Sequence, residues 1–166
     1  MESQADLLLK RGRVIDPASG LDSIKDIAFK DGKVSAMADT LEDLKSAQVL
    51  DVAGKIVCPG LIDLHTHVYW GGTALGIEAE SLTSRSGTTT FVDAGSAGAG
   101  NYAGFQRFIA DASKLRILGF MNISFAGICG FSKTTPNIFP ECEDIRLLDS
   151  RECVDAIREF PETVIG

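Results

Sequence analysis

The 166-residue sequence is poor in histidine: it has two, and they stand two residues apart as His65 and His67. Its four cysteines, Cys58, Cys129, Cys142 and Cys153, contain no C-x-x-C pair, which excludes a zinc ribbon, and they are too scattered for the disulfide framework of a small secreted domain. Buried free thiols are expected of them. Long apolar runs are also missing. No stretch approaches the roughly 20 residues that cross a bilayer as a helix, and Met1-Glu2-Ser3-Gln4 is not the basic start of an export signal. Positive charge is in deficit, with 16 basic against 23 acidic residues and a net charge of −7, spread without blocks. That balance argues against nucleic acid or an anionic membrane as partner. A small-molecule substrate and a cytoplasmic location are expected, and homo-oligomerisation is left open.

What the sequence does have is apolar material, 45% of its residues, enough for a real core. The pattern of that material changes along the chain. Residues 7–9, 13–15, 26–29, 34–37 and 49–52 read as short strands separated by turn signals at Asp16-Pro17, Ser19-Gly20 and Asp31-Gly32. The last of these is a strong hairpin signal, because both residues tolerate positive φ. A small antiparallel sheet is expected over residues 1–57, with 41–47 as a connector or a single helical turn.

After Cys58-Pro59-Gly60 strands alternate with helical segments, the grammar of βα units and a parallel sheet. The expected order is a strand at 61–68, a helix at 75–86 stopped by Gly87, and a strand at 88–93. A helix at 101–112 follows, with Phe105, Phe108, Ile109 and Ala112 on one face, then a strand at 115–124. A third helix is capped by Asp149 or Ser150, turns Val154, Ile157 and Phe160 inward, and stops at Pro161, after which 163–166 starts a fourth strand. Residues 58–166 thus make about three and a half βα units, and the chain looks cut. Half a parallel barrel leaves an open edge and uncovered apolar surface, so these residues alone are not expected to fold as a stable monomer.

Both histidines fall in Asp63-Leu64-His65-Thr66-His67. Side chains alternate along a strand, so Asp63, His65 and His67 share one face while Ile62, Leu64, Thr66 and Val68 share the other. Two imidazoles on a rigid strand suit a borderline ion such as zinc, which takes further ligands from elsewhere. Asp63, one step deeper, is placed to orient a ligand by a hydrogen bond. Asp93 and Ser96 end the next strand and its Gly-rich loop, where a turn or cap role is as natural as a catalytic one. Cys129 and Cys142 are weaker candidates for a soft third ligand.

The run Val57-Cys58-Pro59-Gly60-Leu61-Ile62-Asp63-Leu64-His65-Thr66-His67-Val68, behind a β-rich segment, resembles the opening of the amidohydrolase superfamily, in particular its dihydroorotase, hydantoinase and D-aminoacylase-like branch. The run from Ser86 to Gly98, Ser-Gly-Thr-Thr-Thr-Phe-Val-Asp-Ala-Gly-Ser-Ala-Gly, is similar to the second strand and loop of deacetylase-type members. The resemblance implies a TIM (β/α)8 barrel preceded by strands of a small β-sandwich, with one or two divalent ions, zinc foremost, on His65 and His67. It also implies a carboxylated lysine soon after Gly166, further histidines, and an aspartate that moves protons. The implied chemistry is hydrolysis of an amide, cyclic amide or N-acyl or acetyl bond by metal-activated water, for which residues 1–166 alone lack the remaining ligands.

Two other readings compete. Gly98-Ala99-Gly100-Asn101-Tyr102-Ala103 fits G-x-G-x-x-A between a strand and a helix, the mark of a nucleotide-binding module, although Asn122-Ile123-Ser124 offers no acid for a ribose. The other is a non-catalytic homologue that keeps the fold without the metal.

Overall fold

The structure, a computed structural model, describes residues 4–128, 142 and 144–166, and the chain divides into two compact units, Met1–Pro59 and Gly60–Gly166.

In the first unit, β1 (Ala5–Asp16), β2 (Leu21–Lys30), β3 (Lys33–Ala38), β4 (Ser46–Asp51) and β5 (Ile56–Val57) form one sheet in the order β3-β2-β1-β4, with β5 also on β1. The Asp31-Gly32 turn joins β2 to β3 with φ of 51° and 72°, the positive values its residues tolerate. The sheet is mixed rather than antiparallel: β1 pairs antiparallel with β2 but parallel with β4 and β5. The connector between β3 and β4 makes the difference. Its Leu41 and Leu44 pack on buried Ala5, Leu8 and Ala28, so it crosses the sheet face and delivers β4 on the far side of β1. Buried Asp26 ties it down, accepting from the Leu41 amide at 3.0 Å and, through its other oxygen, from the Arg11 amide at 2.8 Å. Arg11 has a φ of 62°, and the ladder shifts register there, which lets two expected short strands run on as one.

The second unit contains β6 (Leu61–Thr66), α1 (Ala79–Ser86), β7 (Thr88–Asp93), α2 (Tyr102–Phe105) running into a π-helical turn (Gln106–Ala110), β8 (Arg116–Gly119), a 3-10 turn (Ile145–Leu147) and α3 (Ser150–Glu159). Strands β6, β7 and β8 pair in sequence order, all parallel. Val164 adds a parallel bridge to Gly119, where a fourth strand was expected.

Several elements are shorter than their patterns suggest. Helix α1 starts at Ala79 and not near Leu75, because the Ile77 amide donates to the His67 carbonyl at 3.0 Å and Gly76 lies against the Tyr69 backbone so closely that a Cβ would sit 2.1 Å from its oxygen. The residues before it are committed to packing on the end of β6. Gly87 ends α1 as expected, in the left-handed region at φ 71°. Strand β8 stops at Gly119, where the Asn122 side chain takes over by donating to the Gly95 carbonyl and accepting from the Ser124 amide.

The second helix departs most from its pattern. The Asp111 amide bonds the Gln106 carbonyl, an i→i+5 step that widens the turn and changes the phase of the side chains. Phe105 is fully buried and Ile109 half-buried as expected, but Phe108 is 69% exposed and Ala112 faces solvent. On α3 the inward face is Cys153 and Ala156, with Ile157 and Phe160 packed beside them, while Val154 is 43% exposed. Asp149 caps this helix by accepting from the Arg151 and Glu152 amides at 2.9 and 3.1 Å. Asp149→Ala is expected to cost about 1 kcal/mol in urea denaturation of the intact protein; an unmoved midpoint would show that the cap contributes nothing.

The core of this unit gathers Val68, Ala79, Phe91, Ala97, Tyr102, Phe105, Ile117, Met121, Cys153, Ala156 and Val164. Tyr102 holds it together, its ring 5.2 Å from Phe105 and 5.1 Å from Phe160. The buried-thiol expectation holds for Cys153, whose thiol pKa burial pushes up. Cys58 and Cys142 depart from that expectation and are exposed, Cys58 because it lies next to the boundary that ends the first unit at Pro59. Cys129 lies outside the described residues. No helix among the described residues is long and apolar enough to cross a membrane.

Candidate functional site

The site begins where β6 runs out. Thr66 is its last residue and is buried, its hydroxyl donating to the Val92 carbonyl at 2.9 Å. His65 is within the strand and exposed, and half-buried His67 lies one step beyond its end. The strand is thus two residues shorter than expected, and burial does not alternate along it: residues 61–65 are all exposed, and only Thr66 and Val68 are buried, with half-buried His67 between them. Ile62 and Leu64, on the inward side by pattern, are 61% and 65% exposed. The two imidazoles stand edge to face with ring centres 5.8 Å apart.

Asp63 reaches His65 through the main chain, its Oδ1 accepting from the His65 amide at 3.1 Å. Nearer to His67 the anchoring is denser. Asp93, 2% exposed at the end of β7, accepts from the Val68 amide through Oδ2 at 2.8 Å and from the Ser96 amide through Oδ1 at 2.6 Å. Ser96 is completely buried, and its Oγ lies 3.0 Å from Nδ1 of His67. The Ile128 amide donates to the Ser96 carbonyl, and Gly95, in the left-handed region at φ 82°, bends the chain so that the serine turns back toward β6.

The sequence named Asp93 and Ser96 but not the bond from Ser96 to His67. The available signal was the spacing: an aspartate three residues before a serine can hold the serine's amide, which fixes where the hydroxyl points. Asn122 was missed as well. Among the described residues no group of three or more His, Cys, Asp or Glu is gathered that could hold a metal ion.

The Gly-rich loop has a different purpose from the one its pattern suggests. The Gly98 amide donates to Asn101 Oδ1, the Gly100 amide to the Phe125 carbonyl, and the Asn101 and Tyr102 amides both to the Gly98 carbonyl. A phosphate would find these donors already used. A Cβ on Gly98 would lie 1.9 Å from the Ser124 carbonyl oxygen, so the glycine serves close packing of two backbones.

Known proteins are similar to this chain in sequence and fold. No protein-family model matches the sequence. A deacetylase of Agrobacterium fabrum is 34% identical over 136 residues, 82% of this chain and 32% of that protein. A dihydroorotase crystal structure superposes with a TM-score of 0.81 over 98% of this chain and 42% of that one, at 32% identity. The chain belongs to the amidohydrolase superfamily. Within that superfamily, an N-acyl-D-glutamate deacylase from Bordetella bronchiseptica, solved with zinc and a phosphonate inhibitor, shares the fold at a TM-score of 0.50 and 21% identity over 72% of this chain and 30% of that one. This amidohydrolase-superfamily chain spans about a third of the curated deacetylases it matches, 32% and 33% of their lengths.

Proposed function

We propose that His65 and His67 are the first two metal ligands of an amidohydrolase site that hydrolyses a carbon–nitrogen bond in a small molecule. The observation that carries this reading is the pair of imidazoles, edge to face, with ring centres 5.8 Å apart at the end of β6. Two imidazoles that bind one zinc ion through nitrogens at 2.0–2.1 Å and a near-tetrahedral angle stand about 5 Å apart centre to centre, within reach of a small side-chain adjustment. His67 offers Nε2 to an ion because Nδ1 faces Ser96. Asp63 holds the main chain of His65 and so steadies the other ligand. When bound, a divalent ion, zinc foremost, supplies a Lewis acid and lowers the pKa of water. One or two ions are compatible with a pair that leaves coordination positions open.

The wider fold follows the same reading. Three parallel strands in sequence order, with Val164 continuing the series, suit a (β/α)8 barrel. The sheet of β1 to β5 suits part of the β-sandwich that precedes it, dividing the chain into 1–57 and 58–166. An amide, cyclic amide or N-acyl or acetyl group is the proposed substrate class, favoured by the similarity to deacetylases. A cytoplasmic protein acting without nucleic acid or membrane fits the net charge of −7, and self-association is compatible with it. The test is to purify the intact protein, count bound zinc, and assay N-acetyl amino acids and cyclic amides. Zinc at one or two per chain and hydrolysis of one class are expected; a metal-free protein inert toward both would end the reading.

A further inference from the structure

A serine with no exposed surface is an expensive choice unless its hydroxyl has a purpose, since a buried hydroxyl without a partner has given up its bonds to water for nothing. Ser96 is such a residue, and its Oγ lies 3.0 Å from Nδ1 of His67. Its place is heavily determined. Asp93 holds its amide at 2.6 Å, the Ile128 amide holds its carbonyl at 3.0 Å, and Asn122 holds the carbonyl of Gly95 before it at 2.9 Å. The same carboxylate grips the other side of the contact: its second oxygen accepts from the amide of Val68, the residue after His67. One buried aspartate therefore sets the spacing between imidazole and hydroxyl from both ends.

We propose that Ser96, clamped by Asp93, is a positioning residue that accepts a hydrogen bond from the Nδ1–H of His67, and so fixes the tautomer whose free Nε2 lone pair faces the metal. The inference rests on the proposed role of His67 as a ligand. A neutral imidazole carries its proton on one nitrogen or the other, and only the nitrogen without it can bind a cation. In water the ring samples both forms and rotates. A hydroxyl held at Nδ1 restrains the ring before an ion arrives and, when it accepts there, favours the form whose Nε2 is free, as the hydrogen-bonded partners of metal-bound histidines generally do. Among the described residues no group hydrogen-bonds the His65 imidazole, which meets the ring of His67 edge to face, so the two ligands are unequal. The pair would present one fixed nitrogen and one that adapts.

The experiment compares wild type, Ser96→Ala and Ser96→Thr in the intact protein, reading the His67 tautomer by nitrogen NMR in the metal-free state and zinc affinity by competition with a chelator. Expected are a single Nδ1–H form in wild type, mixed tautomers and roughly 10–100-fold weaker zinc binding in Ser96→Ala, and recovery of both in Ser96→Thr, which restores the hydroxyl. An Nε2–H form in wild type, or a Ser96→Ala protein unchanged in tautomer and affinity, would overturn the inference. The metal reading fails separately, through zinc content that does not fall in His67→Ala. The tautomer is read without metal and decides the role of Ser96 in either case.

Discussion

Alanine at position 65 or 67 is expected to strip zinc from the intact protein, each lowering affinity by more than about 100-fold, because even groups that only support a ligand are worth 10–100-fold. The two variants should differ in what else they do. His65 is exposed, so its loss leaves the fold undisturbed and His65→Ala should melt like wild type. His67 is half-buried against Ser96, and its removal leaves a buried hydroxyl without its imidazole partner, at about 1–3 kcal/mol. Metal analysis beside thermal melts separates the effects. Near-wild-type zinc in both variants would show that the pair is not a ligand set, and loss of zinc from His65→Ala with an unchanged melt would tie the metal to the imidazole itself.

The largest effect on stability is expected at Asp93. Its carboxylate is 2% exposed, and each oxygen accepts a backbone amide, at 2.8 and 2.6 Å. A hydrogen bond to a charged group contributes about 1.5–3 kcal/mol, so losing two in Asp93→Ala should cost about 3–6 kcal/mol and strand two amides in the interior. Asp93→Asn keeps one good acceptor oxygen and should lose roughly half of that. Denaturation of the intact proteins in urea gives the ranking, and an alanine variant no less stable than the asparagine one would show that the two amides find other partners.

Local signals were the ones that could be read in advance. The hairpin at Asp31-Gly32, the stop at Gly87 and the cap at Asp149 each need only their own few residues, and each stands where expected. The parallel β1–β4 pairing could not be read that way, since it depends on Leu41 and Leu44 finding the face of a sheet built by distant residues. Phe108 was lost to a π turn, because apolar spacing assumes an i→i+4 ladder and an i→i+5 bond silently shifts every later position. The site divides along the same line. His65 and His67 stand out because two residues on one strand form a pattern, whereas the bond from Ser96 to His67 joins two strands and depends on a bend at Gly95.

The bonds around His67 also bear on the order in which the protein is made. Its imidazole meets a residue 29 positions later, and the amide beside it meets one 25 positions later, both in the next strand and its loop. Contacts across a parallel pair need the whole connection between the strands to close first, and that loss of chain entropy precedes the bonds that offset it. On a ribosome, where earlier segments fold as they emerge, the surroundings of His67 would be completed only after β7 and the loop through Ile128 had left the exit tunnel.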